Sequence, residues 1–156
     1  MSDHTVTLTQ AERARTATNL RPVDAATMLI LDYSGRKPRV LMGKRHPSHK
    51  FMPGKYVFPC EQRLAARCVR PSAQRGRALA LAAIRETFEE TGLLFGSAEY
   101  GAPENPPPGV WSEFAAKGIF PDLGAVTFVA RAITPPRRPK RFDTRFFTVD
   151  ASAVAG

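Results

Sequence analysis

The most constraining feature of this chain is a short run, R-E-T-F-E-E-T-G-L at residues 85–93, which closes the longest uninterrupted helical pattern, residues 72–91. On a period of about 3.6 residues, Glu86, Glu89 and Glu90 fall at i, i+3 and i+4, so three carboxylates crowd one turn. Like charges repel at that spacing, and near a helix C-terminus they also oppose the macrodipole. A cation offsets both penalties. Hard divalent ions such as Mg²⁺ or Mn²⁺ prefer carboxylate oxygens and keep several waters, which leaves room for substrate phosphates. Arg85 stands four residues before Glu89 and is placed to orient that carboxylate through a charged pair. Ile84, Phe88, Leu81 and Ala80 project from the opposite side, which the pattern predicts to be buried while the acids face a cleft. Ser72 is the expected N-cap, and Gly92 ends the helix as a residue that tolerates positive φ. A solvated acidic turn is the plainer reading of E-x-x-E-E alone; the arginine, the glycine and the flanking apolar positions favour a metal platform.

These residues resemble a family. Arg85-Glu86-x-x-Glu89-Glu90-x-Gly92-Leu93 is similar to the second half of the Nudix box of the MutT/Nudix hydrolases, R-E-U-x-E-E-x-G-U with U aliphatic; Thr87 occupies one U position. The first half departs from the pattern: Arg77 and Pro71 stand where Glu and Gly are expected, and Cys60-Glu61 replaces a Gly-Gly pair after Phe58-Pro59. Glycine permits a positive-φ path there that bulkier residues resist. R-A-I-T-P-P at residues 131–136, followed by R-F-D-T-R-F-F at 141–147, resembles the branch related to coenzyme A diphosphatases. The resemblance spans residues 24–150, and the family's last sheet segment and second helix are expected to be missing after Asp150, which leaves truncation, stabilisation by a partner or an exposed apolar face as the alternatives.

The resemblance implies an α/β fold, a mixed β-sheet sandwiched between helices. It also implies hydrolysis of a nucleoside diphosphate linked to a group X, with a small-molecule nucleotide or coenzyme as substrate. Mg²⁺ or Mn²⁺ is then held by Glu86, Glu89 and Glu90, Arg85 orients the acids, and Glu89 or Glu90 assists deprotonation of water. Lys44 and Arg45, at the end of an early strand, are candidate phosphate contacts; Arg137, Arg138, Lys140 and Arg141 form the densest basic cluster and are further candidates. A rival reading is a Nudix-like binding module or fragment that has lost turnover. Nucleic-acid binding driven by the +9 net charge is the third, but no stacking-aromatic or basic recognition motif accompanies that charge.

At 156 residues the chain suits one domain, residues 23–156, preceded by a polar arm at 1–22. No eighteen-residue apolar span and no signal-peptide pattern occurs, so the expectation is a cytoplasmic protein with no membrane partner; a homodimer is left open. Cys60 and Cys68 read as structural, His46 and His49 as surface residues, and Glu99, Glu104 and Glu113 as solvated acids. Residues 25–32 read as a buried strand with residues 39–45 as its hairpin partner, and residues 56–59 as a short strand. A proline-rich loop at 99–109, a short helix at 111–117, and strands at 125–132 and from 142 complete the pattern.

Overall fold

The computed structural model describes residues 17–48, 53–61 and 73–155. Its centre is a mixed sheet of β1 (Val23–Asp32), β2 (Arg39–Val40), β5 (Cys60–Glu61), β8 (Thr127–Ile133) and β9 (Phe142–Asp150). The two long strands β1 and β9 run parallel, in register from Val23↔Phe142 to Leu31↔Asp150. β8 pairs antiparallel with the far side of β9, with an irregularity between Phe128 and Ala130. Two small antiparallel pairs lie apart from this sheet: β3 (Gly43–Lys44) with β4 (Tyr56–Val57), and β6 (Gly96–Ser97) with β7 (Phe120–Pro121).

The period-two alternation of β1 and β9 sends their side chains to two different environments. Ala26, Met28 and Ile30 of β1, with Phe147 and Val149 of β9, form the buried core with α1 (Ala73–Thr91). Leu79, Ala80, Ala82, Ala83 and Ile84 supply the helix side of that core, and the run of alanines lets α1 lie close against β1. Phe114 of α2 (Val110–Ala116) completes it, fully buried, with edge-on ring contacts at 5.4 Å to both Phe88 and Trp111.

The helix ends as its sequence predicts. Gly92 adopts φ 76° and its N–H donates to the Phe88 carbonyl at 2.7 Å, satisfying an otherwise orphaned acceptor. Its start at Ser72 lies outside the described residues. Thr87 is fully buried, and its hydroxyl donates to the Ala83 carbonyl at 2.8 Å. That bond within the helix satisfies the hydroxyl without a tertiary partner.

The hairpin expected from residues 39–45 is only partly formed. Arg39 and Val40 pair with Asp32 and Leu31, and Leu41 still donates to the Ile30 carbonyl at 3.1 Å. Gly43 and Lys44 then leave β1 and pair with Val57 and Tyr56. The reason is competition for one edge: β5 occupies β1 at Ala26 and Thr27, where a longer hairpin would have to run. Cys60 and Glu61 are held by the same pairing, opposite Thr27 and Ala26. Both residues are extended, and among the described residues Arg137 is the sole non-glycine with positive φ, so no glycine is required at β5.

Candidate active site

The carboxylates do not lie opposite the buried side of α1, as the periodicity suggested. Leu79, Ala83, Glu86 and Glu90 fall in one row of the helix, so the buried stripe of its first half runs directly into two of the acids. Ile84 is buried as expected, while Phe88 is half-buried against Phe114. The buried arc is simply wider than a single apolar stripe, because alanines and Thr87 extend it around the helix. Glu86 consequently has a side chain only 16% exposed, against 45% for Glu89.

Arg85 bridges this turn. Its Nη2 lies 3.6 Å from Glu86 Oε1 and its Nε 3.8 Å from Glu89 Oε1. Both are ion-pair rather than hydrogen-bond distances, and the guanidinium draws the two acids together.

On the sheet side, Cys60 of β5 connects the acids to a second group of residues. Burial pushes its thiol pKa up; the Thr27 hydroxyl, donating to Sγ at 3.1 Å, acts against this. The negative charges of Glu90 and Glu86 raise it further and Arg45 lowers it, so all three charged groups lie within electrostatic reach of one sulfur. Cys60 and Arg45 also line a cavity of about 380 Å³ on the sheet face away from α1. Its floor is Ala25 and Thr27 of β1 with Thr144 and Phe146 of β9, and Tyr56 and Phe58 stand at its wall. Lys44 is exposed at the adjoining strand, its Nζ 5.9 Å from the centre of the Tyr56 ring.

Arg45 is thus brought to the same region as Glu86 and Glu90, while Lys44, the residue before it, lies against Tyr56. The basic cluster is not brought there. Arg137 and Arg138 sit in the β8–β9 turn, beside the pairing of Phe142 with the first residue of β1. The N-terminal half of α1 reaches that end through Arg75, whose Nε donates to Asp24 at 3.1 Å. At 1.5 Å per residue, Glu86 is about 16 Å further along the helix. Arg141 is also engaged elsewhere, donating to the Thr134 carbonyl at 3.1 Å, to Asn19 Oδ1 at 2.9 Å and to the Leu20 carbonyl. His46 is exposed and bonded to Ser48, as expected of a surface histidine; His49 and Cys68 lie outside the described residues.

Sequence reasoning missed the charged network at the far end of α1, where Asp24, Arg75, Arg131, Asp143 and Arg145 meet. It also missed the cavity, although a signal was present. In F-D-T-R-F-F, Phe142, Thr144 and Phe146 alternate, which puts them on one strand face.

No protein-family profile matches the chain, nor does any curated protein. Among solved structures, it is similar to the NUDIX hydrolase from Alicyclobacillus acidocaldarius, with 27% identity and a TM-score of 0.66 over 86% of this chain and 72% of that one. The fold is that of a Nudix hydrolase. A second likeness, to the Nudix hydrolase RenU from M. smegmatis, covers 86% of this chain and 68% of that one at 14% identity and a TM-score of 0.43, too distant to bear on the site.

The donor set has the chemistry for a hard divalent ion: carboxylates on one turn, Glu86 half-buried and Glu89 and Glu90 exposed, with Arg85 near two of them. Among the described residues no three acidic, His or Cys side chains converge into a closed cage. Mg²⁺ does not need one, because it is commonly held by one or two carboxylates plus water and substrate phosphates. Among the described residues no helix is long and apolar enough to cross a membrane.

Proposed function

We propose that this protein is a metal-dependent hydrolase of a phosphoric anhydride bond in a nucleoside diphosphate linked to a further group X. The observation that carries this reading is the Arg85 bridge between Glu86 and Glu89, on the turn of α1 that also carries Glu90. Glu86, Glu89 and Glu90 would hold Mg²⁺ or Mn²⁺. Such an ion, when bound, lowers the pKa of water and offsets the charge of the pyrophosphate.

The chain's own residues do the positioning. Glu86, more enclosed than Glu89, would be the fixed ligand, and the more exposed Glu89 or its neighbour Glu90 would take the proton of the attacking water. Arg85 keeps Glu86 and Glu89 gathered. Lys44 and Arg45 grip the phosphates from the opposite side and stabilise charge on the departing oxygen. Within this class, the local resemblance of residues 131–136 and 141–147 favours a coenzyme A-like X.

Incubation with Mg²⁺ or Mn²⁺ and a panel of coenzyme A, ADP-ribose, NADH, dinucleoside polyphosphates and nucleoside triphosphates tests this. Two phosphate-bearing products should appear from at least one compound, and only with metal. Cleavage that persists in chelator, or substrate binding without any turnover, would contradict it; the latter would mark a binding module.

A further inference from the structure

A groove between α1, α2 and β7 shares no lining residue with the cavity on the sheet. Its floor is one stripe of α1, with Ala78, Leu81, Ala82 and Arg85 at i, i+3, i+4 and i+7. Trp111 of α2, Phe120 of β7 and Leu123 stand opposite. Pro103, Pro106 and Pro107 rim the groove from the loop before α2. At about 620 Å³ it has the size of a small-ligand site.

The lining selects for an uncharged, apolar occupant. Each proline lacks an N–H and has a fixed φ, so the rim is poor in donors and stiff. Ser112 Oγ donates to the Pro107 carbonyl at 3.3 Å and ties that rim to α2. Among the described residues Arg85 is the one charged group of the lining, and its guanidinium already lies 3.6 Å from Glu86 and 3.8 Å from Glu89. An anion entering the groove would meet two carboxylates along with that single cation, so the +9 net charge of the chain does not draw anions here. Enclosure by two helices, a strand and a loop suits a compact molecule better than the broad face of a second copy.

We propose that this groove is an effector site for a free, uncharged apolar small molecule, coupled through Arg85 to the acidic turn. The occupant packs its alkyl or aryl body between Leu81 and the rings of Trp111 and Phe120, and the exposed Asn105 amide is placed to hydrogen-bond a hydroxyl or carbonyl at the rim. Water leaves the groove side of Arg85 when the molecule enters. With less competing solvent, the guanidinium attracts Glu86 and Glu89 more strongly and holds them gathered. Occupancy therefore tightens divalent-metal binding, and by reciprocity the metal tightens the occupant. The coupling rests on the hydrolase reading; binding in the groove does not.

Trp111 is the single tryptophan of the chain and lines the groove, so its fluorescence reports occupancy directly. Titration of the full chain with 1-octanol in chelator should give a saturable emission shift, and octanoate, of equal chain length, should bind about tenfold more weakly or worse. Phe120→Ser, at an exposed wall position, and Ala78→Gln, which sets a larger polar side chain on the floor, should each weaken 1-octanol about tenfold. Repeating the titration in Mg²⁺ should tighten 1-octanol about fivefold, and calorimetry should show Mg²⁺ tightened by the same factor. No saturable shift in a folded sample, equal binding of octanoate, or indifference to both variants would overturn the site. So would emission that instead shifts with protein concentration, which would mean that a second copy covers the groove. Equal 1-octanol affinity with and without bound Mg²⁺ would overturn the coupling. Binding of 1-octanol without cleavage of any nucleotide would refute the hydrolase and leave the site standing; metal-dependent cleavage without 1-octanol binding would do the reverse.

Discussion

Arg131 and Asp143 form a two-pronged pair across neighbouring strands, Nε to Oδ1 and Nη2 to Oδ2, both at 2.7 Å. The pair joins β8 to β9, and Arg75 of α1 approaches the same carboxylate at 3.9 Å, so one buried acid links α1 to two strands. The Arg131 hydrogen bonds hold the Asp143 carboxyl below the usual range; burial pushes it up, and the charges of Arg131, Arg145 and Arg75 pull it down again.

The folded protein therefore binds a proton at Asp143 less readily than the unfolded chain. Its contribution to stability is fully present above the unfolded carboxyl pKa, about 3.9, and is lost as pH falls through the lower folded value. Thermal melting from pH 7 to pH 2 should show a steep acid decline below about pH 4. In Asp143→Asn the melting temperature should be lower at pH 7 and the acid decline shallower. An unchanged acid limb in the variant would contradict this role.

Arg85→Gln keeps length and polarity but removes the charge that gathers Glu86 and Glu89. It should lower kcat/KM about 10–100-fold, the usual cost of losing a group that orients metal ligands. Raising the metal concentration should recover part of the loss, and the melting temperature should hardly move. Steady-state kinetics across a Mg²⁺ titration would check this.

The fold and the acidic turn were largely legible, and the reasons are local. The Gly92 stop, the β1 core and the second helix each follow from periodicity within one segment. The hairpin at residues 39–45 was misjudged because β5 competes for the β1 edge, a contact between segments that no local pattern reports. The network of Asp24, Arg75, Arg131, Asp143 and Arg145 was invisible for the same reason: each residue, read alone, is an ordinary surface charge. The direction of the acids was misread because alanine and threonine widened the buried arc of α1, which a count of large apolar residues misses.

Thr87 provides a test of that arc. Replacing its hydroxyl by a methyl in Thr87→Val removes a bond to the Ala83 carbonyl but buries more apolar surface at a position with no exposure. The two effects oppose each other, and stability should change by no more than about 1 kcal/mol in urea unfolding. A loss of several times that would mean the hydroxyl has a larger structural role.

Phe114 lies where α2 meets α1, fully buried between Phe88 and Trp111. Phe114→Ala should cost about 3–5 kcal/mol through lost burial and the cavity left behind. Phe114→Leu should recover much of it, as judged by the urea midpoint.

The central claim is that the turn of Glu86, Glu89 and Glu90 cleaves a phosphoric anhydride. The most direct measurement is the initial rate of product release from the nucleotide panel in Mg²⁺, by chromatography, for the native chain and for Glu89→Gln/Glu90→Gln, with both samples shown to be folded by circular dichroism. The account predicts metal-dependent cleavage by the native chain and none by the double variant. Equal cleavage by both, or no cleavage of any compound by the folded native chain, would contradict it.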